Sequence, residues 1–194
     1  MDEGYIKYNC FWDKSEIEVA ESVLRELNEI RSKLIHLGMI GKIPDGPGFG
    51  NISVRKTNNE FYITGTNTGH VPTLKPRHLS FVNKVSIQKN EVWCKGLSQA
   101  SSESLSHAVI YEDLAWVNAV IHVHHKPIWQ QNLNKLPTTI INIAYGTVEL
   151  ANDITQKLKT TSDAKVLILG GHEDGLISYG TNLSLAFDSV LKLF

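Results

Sequence analysis

Cysteine is scarce in this chain of 194 residues, since only Cys10 and Cys94 occur and they form no CxxC pair. The scarcity argues against a disulfide framework and against a zinc site made of thiolates. No stretch approaches the roughly 18 uninterrupted apolar residues of a membrane span, and the first residues lack the basic and apolar segments of a signal peptide. We therefore expect reduced thiols, a cytoplasmic location and no membrane partner.

A strong charge of either sign is also lacking, because 19 basic residues stand against 20 acidic ones and the net charge is −1. Without a run rich in Lys and Arg there is no electrostatic reason to expect nucleic acid as a partner. Apolar residues make up 42% of the chain, which is typical of a folded globular protein and argues against disorder. No repeat or linker interrupts the sequence, so we expect residues 1–194 to form one domain.

The spacing of apolar residues predicts helices and strands in a mixed order. Helices are predicted over residues 16–37, 101–115 and 148–158 and from Thr181 or Asn182 to 193, and strands over 51–55, 60–64, 81–87, 92–94, 117–124 and 165–169. The strand over 165–169 is apolar throughout, as is typical of a strand buried on both faces. Hairpins mixed with helices favour an α/β or α+β arrangement in which helices cover a sheet.

Two histidines separated by one residue, His122 and His124, lie on the predicted strand over 117–124. Because successive side chains of a strand alternate between its faces, both imidazoles point to the same face, about 7 Å apart along the strand. Two side chains in this arrangement can reach one metal ion. The alternative is a polar stripe on an exposed strand. His125 points to the opposite face and is not expected to be a ligand.

His172 and Glu103 could complete such a site. His172 follows the apolar strand over 165–169 and two glycines, so it could supply a third nitrogen or be an ordinary loop residue. Glu103 lies in the first turn of the predicted helix over 101–115, where the helix dipole alone favours an acidic residue. From the residues alone, that structural explanation is preferred for Glu103. Three neutral nitrogen donors with an open position would favour zinc or another first-row ion.

Three segments combine backbone N–H groups with small polar side chains and could bind an anion. They are residues 50–53 (GNIS), residues 64–69 (TGTNTG) and the serine pair at 101–102. Glycine-containing turns and helix N-termini present free N–H groups to phosphate. Each segment alone could equally be an ordinary turn.

The order of these motifs resembles the class II aldolase/adducin family. The strings are GNISVR, ITGTNTG, SSE, HVH and YGTVEL, followed by a histidine after an apolar strand, and the resemblance extends over roughly residues 16–187. It implies an α/β fold, a three-layer αβα sandwich around a central, mainly antiparallel sheet. It also implies a homotetramer with active sites at the subunit interfaces.

The resemblance further implies a role for each candidate residue. His122, His124 and His172 would bind Zn²⁺, and Glu103 would be both a metal ligand and the catalytic acid/base. Mn²⁺ or Co²⁺ could replace zinc. The substrate phosphate would lie against eight residues of the three anion-binding segments, namely Gly50, Asn51, Thr66, Asn67, Thr68, Gly69, Ser101 and Ser102.

The function implied by the resemblance is that of a metal-dependent lyase. It would cleave a carbon–carbon bond in a small phosphorylated ketose by a retro-aldol reaction, through an enediolate that zinc stabilises. A dehydratase or decarboxylase acting on a sugar phosphate could use the same metal site. A non-catalytic, adducin-like association module is a further alternative.

Three departures from the family pattern bear on the substrate. Glu103 stands where the epimerase branch usually has an aspartate, which argues against epimerisation. Residues 132–143 contain no tyrosine, although the fuculose-phosphate aldolase branch supplies a second acid/base from this region. His172 is followed by Glu173 and Asp174 before Gly175, where the family usually has a compact HGL. We expect these two extra acids to alter the pocket.

Overall fold

The central element of the fold is a sheet with helices on both faces. The computed structural model describes residues 4–161 and 163–194. Within these ranges the elements, in chain order, are β1 (Asn9–Asp13), α1 (Glu21–His36), β2 (Gly41–Lys42), β3 (Gly48–Phe49), β4 (Asn51–Thr57), β5 (Glu60–Thr64), a 3-10 turn (Pro76–His78), β6 (Leu79–Ser86), β7 (Glu91–Lys95), α2 (Ser104–Asp113), β8 (Ala119–His124), α3 (Lys126–Asn132), α4 (Val148–Thr160), β9 (Val166–Ile168), β10 (Gly175–Gly180) and α5 (Leu183–Leu191).

The large sheet has the strand order β1-β7-β6-β5-β4-β8-β10-β9. Its neighbouring strands are antiparallel except for β1 and β7, which run parallel. The short strands β2 and β3 form a separate hairpin. The predicted mainly antiparallel sheet is therefore confirmed.

The helices divide between the two faces of the sheet according to their apolar stripes. Leu105 and Val109 of α2 share one core with Leu150 and Ile154 of α4. On the other face the core contains Leu27, Ile30 and Leu34 of α1 and Ala186 and Val190 of α5. Burying such a side chain stabilises the fold by about 1.5–3 kcal/mol. The three-layer αβα sandwich is confirmed.

Strand β8 is buried at every position, and its side chains alternate between the two cores. Val120 packs with the α2 and α4 layer, whereas Ile121 and Val123 pack with the α1 and α5 layer. Because the period of a strand is two residues, His122 and His124 share the face of Val120. The predicted orientation of the histidine pair is confirmed.

The four predicted helices and six predicted strands are present, although α1 and α2 begin later than predicted. The chain does not turn helical until Glu21, because Ala20 has an extended ψ of 137° and the Glu18 carbonyl accepts a hydrogen bond from the Tyr62 hydroxyl. The prediction that Ser101 or Ser102 is the N-cap of α2 is wrong. The N-cap is Glu103, since Ser101 and Ser104 close a separate turn just before the helix.

Strand β9, predicted over 165–169, is buried but lies at the edge of the sheet. The edge is covered by a neighbouring stretch of backbone: Ile168 donates to the Pro137 carbonyl and accepts from the Thr139 amide. Covering an edge strand in this way prevents its backbone from pairing with other chains. A strand at a covered edge can therefore be as apolar as a central one.

The strands β1, β2, β3 and β10, the helix α3 and the 3-10 turn were not predicted. Strand β10 lies between β8 and β9, yet its sequence GLISYG begins and ends with glycine and has few apolar residues. Among the described helices, none has the length and the apolar character that a membrane span requires. That residues 1–194 form one domain stays a prediction.

Candidate metal centre and phosphate pocket

Three buried histidines meet at one end of the sheet. His122 and His124 come from β8, and His172 comes from the turn between β9 and β10. Their exposed fractions are only 1%, 7% and 5%. The Nε2 atoms of His122 and His124 are 3.2 Å apart, and one ring nitrogen from each of the three residues lies within 4.8 Å of the others. The alternative of an exposed polar stripe is excluded by this burial.

The ring of His122 is oriented by the neighbouring strand. Its Nδ1 donates a hydrogen bond of 3.0 Å to the carbonyl oxygen of Leu176 in β10, so its Nε2 is the nitrogen with a free lone pair. Burial holds the pKa of His122 well below its ordinary value, and the adjacent imidazoles of His124 and His172 lower it further. His122 is therefore neutral at neutral pH, which is the form that binds metals.

The donor set fits a first-row divalent ion. Two nitrogens held at 2.0–2.1 Å from one tetrahedral ion are about 3.3 Å apart. The separation between the Nε2 atoms of His122 and His124 is 3.2 Å, close to this value without any rearrangement. The three histidines could therefore hold a metal ion, and the chemistry of their nitrogens suits zinc and its neighbours.

Glu103 lies beside the cluster, although it precedes His172 by 69 positions in the chain. It is 2% exposed, and its Oε1 is 3.6 Å from Nδ1 of His172. Its Oε2 accepts a hydrogen bond of 3.3 Å from the Ser106 hydroxyl, one turn further along α2. The side chain makes no cap hydrogen bond to the helix backbone. Its position at the histidines is thus better explained by the site than by helix capping.

One small pocket contains all the predicted phosphate-binding residues. Gly50, Asn51, Thr66, Asn67, Thr68, Gly69, Ser101 and Ser102 line it together with Glu103, and Gly4, Gly48, Phe49 and Gly65 complete its wall. The sequence segments that looked like separate turns are therefore adjacent in space. Their assignment to a phosphate stays a prediction.

Strand pairing brings this pocket to the histidines. Asn51 is the first residue of β4 and lies opposite His122 in the antiparallel pair of β4 with β8. Gly50 precedes it with a φ of +73°, and a Cβ there would come within 2.7 Å of the Ile40 side chain and 3.2 Å of the His122 carbonyl. Only glycine fits this approach without strain.

The turn over residues 65–69 is stabilised by hydrogen bonds from a buried arginine. The Arg31 guanidinium, on α1, donates to the carbonyl oxygens of Thr68 (2.7 Å), Gly69 (3.1 Å) and Val71. Thr68 itself donates 2.7 Å to the Gly65 carbonyl. With these carbonyls directed towards Arg31, the turn is fixed in one conformation against the pocket. Burial lowers the pKa of Arg31 to about 10, so the side chain remains charged at neutral pH.

Replacing Arg31 by methionine is expected to lower the free energy of unfolding by about 3 kcal/mol. Methionine can fill most of the volume, but the substitution leaves buried carbonyl groups without their donor, and each costs about 1–3 kcal/mol. Urea unfolding followed by circular dichroism measures the change. Arg25→Met, at an exposed position of the same helix, is the matched control and should change the value by less than about 0.5 kcal/mol. Equal effects of the two substitutions would contradict the role of Arg31.

Several aromatic residues at the site were not predicted to belong to it. The Tyr145 ring stacks on the His172 imidazole with 4.9 Å between centroids, and the Phe49 ring lies 5.6 Å from that of His124. Tyr145 belongs to the YGTVEL string, which offered a signal, whereas nothing in the sequence distinguished Phe49. These rings enclose the histidines on two sides.

His107, on α2, is buried behind the cluster. Its Nδ1 is 2.7 Å from the Ser53 hydroxyl of β4, and that hydroxyl is 2.7 Å from the Tyr111 hydroxyl. Burial lowers the pKa of His107 to about 3, so the ring is neutral. The side chain joins α2 to β4 and thereby fixes the helix that presents Glu103.

A second pocket, of about 260 Å³, opens beside His124. Phe49 lines both this pocket and the phosphate pocket, so the two pockets adjoin at this residue. Asp174, one of the two extra acids, lines the second pocket with a φ of +67°. Its buried Oδ1 has no hydrogen-bond partner among the described residues. Glu173 instead lies at the surface, where it pairs with Lys126 at 3.0 Å.

The family of the chain follows from comparison with known protein families. Residues 45–193 match the family described as Class II Aldolase and Adducin N-terminal domain, and the chain belongs to that family. The resemblance seen in the motifs is confirmed.

Solved structures with the same fold include an L-fuculose 1-phosphate aldolase, with 22% identity and a TM-score of 0.69 over 90% of this chain and 84% of that chain. YgbL from Klebsiella pneumoniae, described as a putative aldolase/epimerase/decarboxylase, has 19% identity and a TM-score of 0.66 over 91% and 87% of the two chains. A sugar-phosphate aldolase from Thermotoga maritima has 16% identity and a TM-score of 0.64 over 88% and 89%. At these identities the likeness establishes the fold alone. Comparison with curated protein sequences gives no match.

Proposed function

We propose that the chain is a metal-dependent lyase that breaks a carbon–carbon bond in a small phosphorylated ketose by a retro-aldol reaction. His122, His124 and His172 would hold Zn²⁺, or Mn²⁺ or Co²⁺ in its place, with Glu103 as a further, displaceable ligand. The observation that carries the proposal is the position of Glu103. This carboxylate lies 3.6 Å from His172 and also lines the pocket of the three anion-binding segments.

The phosphate of the substrate would enter the pocket lined by Asn51, Ser101 and Ser102. The hydroxyl and amide groups of these residues can donate hydrogen bonds to phosphate oxygens. The backbone N–H groups of the turn over residues 65–69 can do the same, so no charged side chain is required. Because the pocket reaches Glu103, a phosphate bound there would fix the adjacent carbons of the substrate beside the histidines. A substrate held in this way already has its reacting group in position, which lowers the entropic part of the activation barrier.

A divalent ion held by the histidines would polarise the substrate carbonyl and stabilise the negative charge that develops on its oxygen. Glu103 would carry the proton to or from the reacting carbon, since its carboxylate both lines the phosphate pocket and lies 3.6 Å from His172. Its burial, 2% exposed, excludes bulk water from that transfer. The hydrogen bond from Ser106 fixes one carboxylate oxygen and leaves the other directed towards His172.

The remainder of the substrate would extend past Phe49 into the second pocket. There the carboxylate of Asp174, which lines the pocket, could accept a hydrogen bond from a substrate hydroxyl. A sugar with a hydroxyl at the end remote from its phosphate fits this arrangement. The extra acid at position 174 would in this way select the substrate.

The predicted homotetramer with interface active sites belongs to the same proposal, as does the cytoplasmic location. Ile140 and Ile141 support an interface near the site, because they are 54% and 57% exposed. The backbone of this segment runs against Gly170 and Gly171, immediately before His172. Exposed neighbouring apolar side chains are typical of a surface that another protein covers.

The proposal is tested by incubating the zinc-loaded protein with ketose 1-phosphates and their unphosphorylated counterparts. We expect release of a carbonyl fragment from a phosphorylated ketose. In Ser102→Ala the KM for that substrate should rise about tenfold with little change in kcat, because one hydrogen bond to the phosphate is lost. Steady-state kinetics with the phosphorylated and the unphosphorylated sugar distinguish weaker phosphate binding, which raises KM only for the former, from damage to the fold, which affects both.

Ser184→Ala, at an exposed position of α5, is the control and should leave both constants unchanged. An equal loss on phosphorylated and unphosphorylated sugar in Ser102→Ala would argue against a phosphate contact. Loss of water or carbon dioxide from the substrate, in place of a carbonyl fragment, would replace the retro-aldol reaction by dehydration or decarboxylation at the same site.

A further inference from the structure

The N-terminal residues 4–13, called here the N-terminal strap, start at the phosphate pocket and then join the sheet as β1. Gly4 lines the pocket, and its carbonyl accepts a hydrogen bond of 3.2 Å from the Thr66 hydroxyl. The Tyr5 amide donates 3.1 Å to the Tyr145 hydroxyl. The strap is therefore attached to two parts of the proposed substrate site.

Further along the strap, Tyr8 fixes the chain to the serine pair of the pocket. Its hydroxyl lies 3.0 Å from the Ala100 carbonyl and 2.9 Å from the Ser101 carbonyl, and donates to them. A modification that restricts the motion of the strap would therefore also restrict the backbone of Ser101 and Ser102.

The two cysteines of the chain meet at the root of the strap. Cys10 lies on β1 and Cys94 on β7, and their Sγ atoms are 3.7 Å apart. In the parallel pair Cys10 is opposite Val92, so Cys94 lies two residues further along and on the same face. Cys94 is buried, whereas Cys10 is partly accessible. Their distance in sequence gave no reason to expect this contact, which arises because β1 pairs with a strand 84 positions away.

We propose that Cys10 and Cys94 are a reversible thiol–disulfide pair, oxidised by small-molecule disulfides, whose oxidised form fixes the N-terminal strap beside the substrate pocket. An S–S bond is about 2 Å long, so the sulfurs need to approach by less than about 2 Å. Because Cys10 and Cys94 are diagonal neighbours on the paired strands and not directly opposite each other, closure of the bond also requires a small movement of the β1 backbone. The inference concerns a modification site and does not depend on the proposed lyase reaction.

The reaction is a double exchange. The Cys10 thiol loses its proton to water, and its sulfur attacks one sulfur of the small disulfide, which forms a mixed disulfide and releases one thiolate. The Cys94 thiolate then attacks the sulfur of Cys10, which forms the internal bond and releases the second thiolate. Two electrons pass from the protein to the small disulfide, and its two thiolates take up the two protons that Cys10 and Cys94 lose.

The surroundings of Cys94 suit it to the second step. The hydrogen bond from Cys10 lowers the pKa of Cys94, against the effect of burial, and the Ala100 backbone and the Ser80 hydroxyl lower it to a smaller extent. Only the last two contributions remain in the second step, because Cys10 then has no proton to donate. Ala100 is also the residue to which Tyr8 is bonded. The pair is thus connected to the same backbone that leads into the phosphate pocket.

The test incubates the purified full chain with oxidised glutathione and analyses it by mass spectrometry and amide hydrogen exchange. We expect the chain to lose two hydrogen masses and to yield a cross-linked peptide that contains Cys10 and Cys94, with reversal by a reducing agent. Amides of residues 9–13 should exchange about tenfold more slowly in the oxidised chain, because local opening of an edge strand is then prevented.

Cys94→Ser is the matched control, since it leaves Cys10 without a resolving thiol and should carry one glutathione. The proposal is overturned if the wild-type chain retains glutathione, forms disulfide-linked dimers, or keeps both thiols under these conditions. It is also overturned if the internal disulfide forms and exchange in residues 9–13 does not change. All of these readouts are independent of metal and substrate, so a failure of the proposed lyase function leaves them interpretable.

Discussion

Replacing both His122 and His124 by alanine is expected to reduce bound zinc from about one ion per chain to less than about a tenth of that value. The substitution removes two of three nitrogens, including the pair 3.2 Å apart, and leaves only His172 and the Glu103 carboxylate. Removing a residue that only hydrogen-bonds a metal ligand typically weakens metal binding 10–100-fold. Removing two of the ligands themselves is expected to weaken it further. Elemental analysis of the purified proteins measures the change.

His125→Ala is the matched control for this double substitution. His125 adjoins the pair but belongs to the next element, where its Nδ1 accepts a hydrogen bond from the Ile128 amide as the N-cap of α3. The control should therefore lose a little stability and keep its metal. Circular dichroism verifies that each variant is folded. If the wild-type chain binds no zinc, manganese or cobalt, the proposed chemistry is refuted, and an association function becomes the better interpretation.

Glu103→Gln is expected to lower kcat on the ketose phosphate by on the order of 10³-fold while zinc content stays near one ion per chain. The amide has nearly the shape of the carboxylate and can still accept the hydrogen bond from Ser106, but it cannot take up a proton at neutral pH. The histidines remain, so the ion is retained. Steady-state kinetics together with elemental analysis measure both quantities.

Glu112→Gln, at an exposed position of the same helix, controls for a change of charge on α2 and should leave kcat within about twofold. A kcat of Glu103→Gln close to that of the wild type would remove Glu103 from the proton transfer. A loss of zinc in Glu103→Gln would instead identify the carboxylate as a ligand that the ion requires.

The histidine pair could be predicted from the sequence because a strand has a fixed period. Once residues 117–124 are a strand, His122 and His124 must share a face, and the structure confirms this. His172 is different, since its approach to the pair depends on β10 being inserted between β8 and β9. No local pattern encodes that order, so the residues alone left His172 as either a third ligand or a loop residue, and the family resemblance favoured the ligand.

The parts of the site that escaped prediction depend on long-range pairing. Arg31 looked like any residue of an amphipathic helix, yet the packing of α1 places its guanidinium under the turn over 65–69. Cys10 and Cys94 looked unrelated because β1 was not recognised and because its parallel partner is remote in the chain. Strand order and the burial of polar side chains are properties of the whole fold, so single segments do not reveal them.

The parallel pairing of β1 with β7 has a consequence for the ribosome-bound chain. When residues 9–13 are made, their hydrogen-bonding partners at 91–95 do not yet exist, and they follow only after about eighty further residues. During that interval residues 9–13 have no partner strand. Strands β4 to β7 must first form their hairpins, and β1 then pairs with β7. Closure of so large a loop is slow compared with the formation of hairpins between neighbouring strands. The nascent chain therefore acquires this edge strand late, although β1 precedes the other described strands of the sheet in the sequence.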